Sequence, residues 1–290
     1  MRIATFIAAG RRQVGQVSPD GQHLTPFQLS PEAAQRGALP LVEAAARGEP
    51  LPALAAQSLP LASVKLEAPI PVPRRNLWCV GRNYHAHAKE LATSVFKDNS
   101  ANVMEWPIVF TKVPETVIGP TDTVALPGAA ISQQIDYEAE LTIVIGRGGK
   151  NIAKADAMKH IFGYTIINDV TARDVQMRHQ QWDMGKSFDT FCPMGPWIVT
   201  ADALDGLATQ VRCWVNGELR QDARTENMIF DIPTLIETVS RGITLLPGDL
   251  IATGSPAGVG MGFKPPRYLA SGDVVRIEID GLGTLENRFA

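Results

Sequence analysis

Ile135-Asp136-Tyr137-Glu138-Ala139-Glu140-Leu141-Thr142-Ile143-Val144-Ile145 carries three acids, spaced two apart, into a run of β-forming residues. Residues two apart on a strand share a face, so Asp136, Glu138 and Glu140 are expected to point the same way. A solvated strand face is the plain alternative. Phe162-Gly163-Tyr164-Thr165-Ile166-Ile167-Asn168-Asp169 is a second, nearly apolar run that ends on an acid, where a strand delivers a side chain to a site or merely begins a turn. If Glu138, Glu140 and Asp169 converge, each pair of charges about 4 Å apart costs about 4 kcal/mol at an effective dielectric of 20. A cation would relieve that cost. An all-carboxylate set without cysteine favours a hard ion, Mg²⁺ or Mn²⁺, with Ca²⁺ as the third choice.

Working outward, short apolar or alternating runs recur at 77–80, 108–111, 141–145, 161–167, 197–200, 211–215, 250–253 and 274–279, separated by turn residues. Helical patterns are fewer, at 84–92, 154–160 and 233–241. Many strands with few helices predict a mainly β chain with some α, a roll or sandwich rather than a doubly wound sheet. Before residue 76 the pattern changes. Short strands fill 1–28, with turns at Gly10-Arg11-Arg12 and Ser18-Pro19-Asp20-Gly21. The Ala- and Leu-rich stretch 31–57 predicts a helix, capped by Ser30 with Pro31 at its first position. Ile70-Pro71-Val72-Pro73 reads as an extended linker. The boundary falls there, giving a small N-terminal domain, 1–70, and a larger one, 71–290.

Composition narrows the function. Hydrophobic residues make up 45% of the 290 and charged residues 20%, enough for a packed core. A net charge of -3 argues against nucleic-acid and anionic-membrane partners. Cys79, Cys192 and Cys213 form no CxxC pair, which points away from disulfide or zinc frameworks and toward a reduced, cytoplasmic setting. No apolar run approaches membrane-spanning length, and the N-terminus does not read as a signal peptide.

In Gly81-Arg82-Asn83-Tyr84-His85-Ala86-His87-Ala88-Lys89-Glu90, His87 and Glu90 are three apart and share a helical face. Such a pair can take a proton from water, or be an ordinary surface ion pair. His85 lies off that face; His23, His160 and His179 have no partner pattern and read as structural or surface residues. Gly254-Ser255-Pro256-Ala257-Gly258 lacks the GxSxG spacing of a serine nucleophile. Gly258-Val259-Gly260-Met261-Gly262 runs into Pro265-Pro266 instead of a helix, so a dinucleotide fingerprint fails and a plain loop is the better reading.

GRNYHAHAKE, DYEAELTIVIG, FGYTIINDVTARDVQ, GKSFDTFCPMGPW, VNGE, LLPGDLIATGSPAGVG and LASGDVVRIEI, in this order over about 76–290, together resemble the fumarylacetoacetate hydrolase family. The resemblance implies a mixed β-roll/sandwich catalytic domain, a small α+β N-terminal domain and a homodimer. It implies metal ligation by Glu138, Glu140 and Asp169, catalysis by His87, Glu90 and Lys186, and substrate contacts from Arg173, Gln176 and Ser255. Ser255 stands where the family has threonine in its TGTP turn, and keeps the hydroxyl. The expected substrate is a small 2-oxo or diketo acid. C–C hydrolysis of an acylpyruvate ranks first: water activated by His87 and Glu90 attacks the distal carbonyl, leaving a pyruvate enolate whose charge the cation and Lys186 stabilise. Decarboxylation of oxaloacetate and isomerisation of a 2-hydroxydienoate pass through the same enolate. A non-enzymatic 2-oxo acid binder is the remaining alternative.

Overall fold

The computed structural model describes residues 1–92, 105–178 and 181–290. The N-terminal part supplies β1 (Arg2–Ala8), β2 (Arg11–Val17), β3 (His23–Pro26), α1 (Pro31–Ala34), α2 (Leu39–Ala46), β4 (Leu59–Pro60) and β5 (Lys65–Glu67). Next come β6 (Leu77–Gly81), α3 (His85–Ala92), β7 (Ile108–Lys112), β8 (Val117–Ile118), β9 (Ile135–Asp136), β10 (Ala139–Ile145), β11 (Ile161–Asn168) and β12 (Thr171–Ala172). The chain continues through α4 (Arg173–Gln176), α5 (Asp183–Lys186), β13 (Cys192–Thr200), β14 (Gln210–Val215), β15 (Glu218–Arg224), α6 (Ile232–Ser240), β16 (Leu250–Ala252), β17 (Val274–Ile279) and β18 (Gly283–Arg288).

The large sheet runs β4-β3-β2-β1-β13-β11-β10-β16-β6-β7, and a four-stranded antiparallel sheet runs β15-β14-β17-β18. β10 is buried at every position, as befits a strand covered on both faces, and it carries Glu140 and Thr142 into the interior among its apolar residues. β14 alternates buried and half-buried residues, as befits a strand with one face on the core. Leu141, Ile143 and Ile166 of the large sheet meet Val211, Cys213, Ile277 and Leu285 of the small one in a single core. The architecture is thus the expected mainly β, mixed-sheet fold. Hydrogen bonding crosses the 70/71 boundary: β1 pairs with β13 by setting Arg2 opposite Val199 and Ile3 opposite Ile198.

The helix predicted over 31–57 is not continuous. Ser30 caps α1 through Ala33 N–H with Pro31 at its start, but the helix ends within a turn. At Gly37 φ is +60°, and any Cβ would lie 2.4 Å from Pro71 Cδ. α2 then stops before Gly48, and Pro50 and Pro52 forbid its extension. Ala and Leu content gave the right propensity and the wrong length. The helix over 154–160 forms with 3₁₀ geometry, and the 233–241 helix is α6 shifted by one residue. Among the described residues, no helix is long and apolar enough to cross a membrane.

Candidate active site and metal centre

Strand register brings the acids together. β10 and β11 pair antiparallel with Ala139 opposite Asn168 and Glu140 opposite Ile167. Continuing that register sets Glu138 beside Asp169, two residues along from the Glu140–Ile167 pair and therefore on the same face. Two bonds clasp the junction: Asp169 N–H donates to the Glu138 carbonyl at 2.9 Å, and Glu138 N–H donates to Asn168 Oδ1 at 3.0 Å. One ligand atom each from Glu138, Glu140 and Asp169 lies within 4.8 Å of the others, all three buried.

Asp136 does not join them, contrary to the two-residue spacing. The strand breaks between β9 and β10, and Asp136 turns instead to Arg173 Nε at 2.8 Å. It also accepts the Gly260 and Met261 N–H groups at 2.6 and 3.0 Å.

The triad sits among buried cations. Lys186 Nζ bonds Glu138 Oε2 and Asp169 Oδ2, both at 2.6 Å. Arg173 Nη2 bonds Glu138 Oε1 at 2.7 Å and its Nη1 donates to Gln176 at 3.2 Å. Lys112, which the sequence reading did not single out, pairs with Asp169 Oδ1 at 2.8 Å and donates to the backbone carbonyls of Val170 and Lys186. Burial alone would raise the Glu138 carboxyl, but Lys186 and Arg173 outweigh it and hold the group well below the usual carboxylate range. Burial opposes the Lys186 charge, yet Asp169 and Glu138 raise its pKa above the ordinary value.

Glu140 differs. Its Oε2 accepts Gly254 N–H at 2.9 Å, and among the described residues no lysine, arginine or histidine pairs with it. Burial, then the Asp169 and Glu138 charges, push its carboxyl far up. A carboxylate so placed is suited to facing a cation. Octahedral Mg²⁺ or Mn²⁺, with bonds of about 2.1 Å, holds its oxygens about 3–4.2 Å apart. Pairs of ligand atoms within 4.8 Å of one another reach those separations by closing less than about 2 Å, so the donor set fits a hard divalent ion.

His87 Nδ1 lies 3.0 Å from Glu90 Oε2, and Gly258 N–H holds Glu90 Oε1 at 3.0 Å. His87 lines the same small cavity as Glu138, Glu140, Arg173, Gln176, Lys186 and Ser255. Ser255 Oγ accepts from Gln221 Nε2 at 2.7 Å, which orients the hydroxyl. Gln221, reaching over from the small sheet, and Asn83, whose amide bonds Thr253 and Phe230, are supports that sequence alone did not reveal. His85 is exposed, and His160 Nδ1 meets the Arg147 carbonyl at 2.7 Å. His23 is exposed on β3; His179 lies outside the described residues.

The glycine-rich stretch at 254–262 is therefore more than a plain loop. Its N–H groups satisfy Glu140, Glu90 and Asp136. Gly258 has φ of +106°, and a Cβ there would stand 1.8 Å from the Arg220 carbonyl oxygen. Gly258→Ala is expected to cost about 2 kcal/mol or more of stability and to release Glu90. A melting curve and a turnover assay check this; an unchanged melting temperature would sink it.

The fumarylacetoacetate (FAA) hydrolase C-terminal family model matches residues 76–290. Oxaloacetate tautomerase YisK of Bacillus subtilis (strain 168) is 51% identical over 230 residues, covering 79% of this chain and 74% of the relative. The human mitochondrial oxaloacetate tautomerase FAHD2A is 45% identical over 241 residues, 81% of this chain and 73% of the relative. A solved fumarylacetoacetate hydrolase (EaFAH) from psychrophilic Exiguobacterium antarcticum superposes with a TM-score of 0.84 at 42% identity, covering 100% of this chain and 99% of that one. A 5-carboxymethyl-2-hydroxymuconate delta-isomerase from Mycobacterium smegmatis superposes with a TM-score of 0.80 at 36% identity, covering 100% and 99%. A sheet register that assembles three acids, and sequence motifs that run in order through the matched region, lead to one assignment: this chain belongs to the fumarylacetoacetate hydrolase family.

Proposed function

We propose that this protein is a divalent-metal-dependent enzyme that interconverts the keto and enol forms of oxaloacetate, with Mg²⁺ or Mn²⁺ bound by Glu138, Glu140 and Asp169. The observation that carries the reading is a buried acidic triad facing one cavity with a histidine–glutamate pair. The tautomerase relatives support oxaloacetate as the substrate. A bound divalent ion supplies Lewis-acid stabilisation of negative charge on a 2-oxo acid.

The chain's own groups supply the proton transfers. His87, its Nδ1 tied to Glu90, offers Nε2 to take a proton from C3 of the keto acid. The electron pair moves toward the keto oxygen, which takes a proton from the Lys186 ammonium to give the enol. The return reaction uses the same groups in reverse. Arg173 holds Glu138 and Asp136 in place, while Gln176 and the Ser255 hydroxyl offer hydrogen bonds to the ligand. The three cysteines are free and buried, in keeping with a cytoplasmic setting; a homodimer completes the proposal.

C–C hydrolysis of an acylpyruvate becomes the second reading, favoured by the hydrolase that superposes on the whole chain. There His87 would take its proton from water instead of carbon. The test follows the ultraviolet enol band of oxaloacetate with Mg²⁺, with Mn²⁺ and after chelation. Accelerated ketonisation that chelation abolishes is the expected result. No acceleration, together with cleavage of an acylpyruvate, would put hydrolysis first.

A further inference from the structure

The cavity has walls of two kinds. Around the acids, Lys186 and Arg173 each bond carboxylates of the chain itself. The same cavity is also walled by aromatic rings and by a third cation, Arg82. Lys186 Nζ stands 4.8 Å from the centre of the Phe110 ring. Phe110 meets Trp182 edge-on with centroids 5.3 Å apart, and the Arg82 guanidinium lies 5.9 Å from the Trp182 ring. Phe110, Trp182 and Arg82 all line the cavity. Two rings thus separate Arg82 from the lysine beside the acids.

Arg82 is placed deliberately. Its φ is +53°, a conformation that costs a residue with a side chain about 1 kcal/mol or more and persists only where the surroundings enforce it. Its neighbour Gly81 is pressed so closely on Trp182 that a Cβ would lie 2.3 Å from that ring. The side chain is 7% exposed, and burial lowers its pKa to about 10, which leaves it charged at neutral pH. A desolvated guanidinium lining a small cavity is a strong, two-pronged receptor for a carboxylate.

We propose that Arg82 forms a second anion subsite that receives the distal carboxylate of the substrate, and so selects 2-oxo diacids over 2-oxo monoacids. The inference rests on the oxo-acid reading above and adds what sets the choice among such acids. Gly81, Trp182 and Phe110 act with Arg82 by fixing its position and keeping water from it.

Unreactive ligands of matched skeleton test it. Calorimetry on the Mn²⁺-loaded protein compares L-malate, which has the second carboxylate, with 2-hydroxybutanoate, which lacks it. The wild type is expected to prefer L-malate. Arg82→Met is expected to weaken L-malate about 30-fold and to leave 2-hydroxybutanoate within about twofold, because only one ligand loses a charge-assisted bond. Arg82→Lys, which keeps the charge without the fork, falls between, and it carries the comparison if the methionine variant does not fold. Equal weakening of both ligands, weakening of neither, or a wild type without preference would overturn the inference. Failure of the reaction reading shows separately, as absence of oxaloacetate ketonisation by a wild type that still discriminates the two ligands.

Discussion

Glu140→Gln is expected to make the metal-free protein more stable and to destroy its affinity for Mn²⁺. The wild-type carboxyl is buried, accepts one backbone N–H and lies beside Glu138 and Asp169, which push its pKa well up. A carboxyl whose pKa is raised by folding binds its proton more tightly folded than unfolded. The metal-free protein therefore loses stability as pH climbs from the ordinary glutamate value, about 4.3, through the raised one. A divalent ion reverses the sign by favouring the ionised form, so binding releases a proton and tightens as pH rises across that window. Glutamine still accepts the Gly254 N–H but carries no charge. At pH 8 the metal-free variant is expected to gain about 1 kcal/mol or more, roughly 3 °C in melting temperature. Its Mn²⁺ affinity should fall by more than about 100-fold. A metal-free variant that melts lower than wild type, or one that binds Mn²⁺ normally, would show that Glu140 has another role.

His87→Ala should do the reverse: it should spare metal binding and remove turnover. Loss of a positioned acid or base typically costs about 10²–10⁴-fold in rate. His87 pairs with Glu90 at 3.0 Å rather than with a carboxylate of the triad, so Mn²⁺ affinity is expected to hold. Glu90→Gln keeps a polar partner but loses the charge that orients the imidazole, and about a 10–100-fold loss is expected. Steady-state kinetics beside a Mn²⁺ titration distinguish these effects. Wild-type turnover in His87→Ala would remove the histidine from the mechanism.

The strands were legible because their apolar patterns are local. So was the chemistry of β10 and β11, since acids at strand ends stand out against apolar runs. The meeting of Glu138 with Asp169 depends on a pairing between distant segments, and nothing in either segment states the register. Lys112 was invisible for the opposite reason: one lysine closing Ile108–Lys112 looks like any solvated strand end, and its burial follows from the approach of α5 and Val170. Asp136 was misplaced because period-two reasoning assumes an unbroken strand, and the chain breaks at Tyr137 and Glu138. The 31–57 helix failed where Gly37 must slip past Pro69 and Pro71, a tertiary demand that overrides alanine's preference.

The 254–262 stretch grips its three acids by main-chain groups alone: Gly254 to Glu140, Gly258 to Glu90, and Gly260 to Asp136. What it must preserve is a count of peptide units. Deleting one residue between Gly254 and Gly260 would misalign the proposed cation ligand Glu140, the partner of the imidazole and the anchor of Arg173 in a single event. A side-chain exchange at Ala257, by contrast, touches none of these contacts. The segment thus has room for exchange at Ala257, but neither its length nor its glycines at 254, 258 and 260 can change without cost.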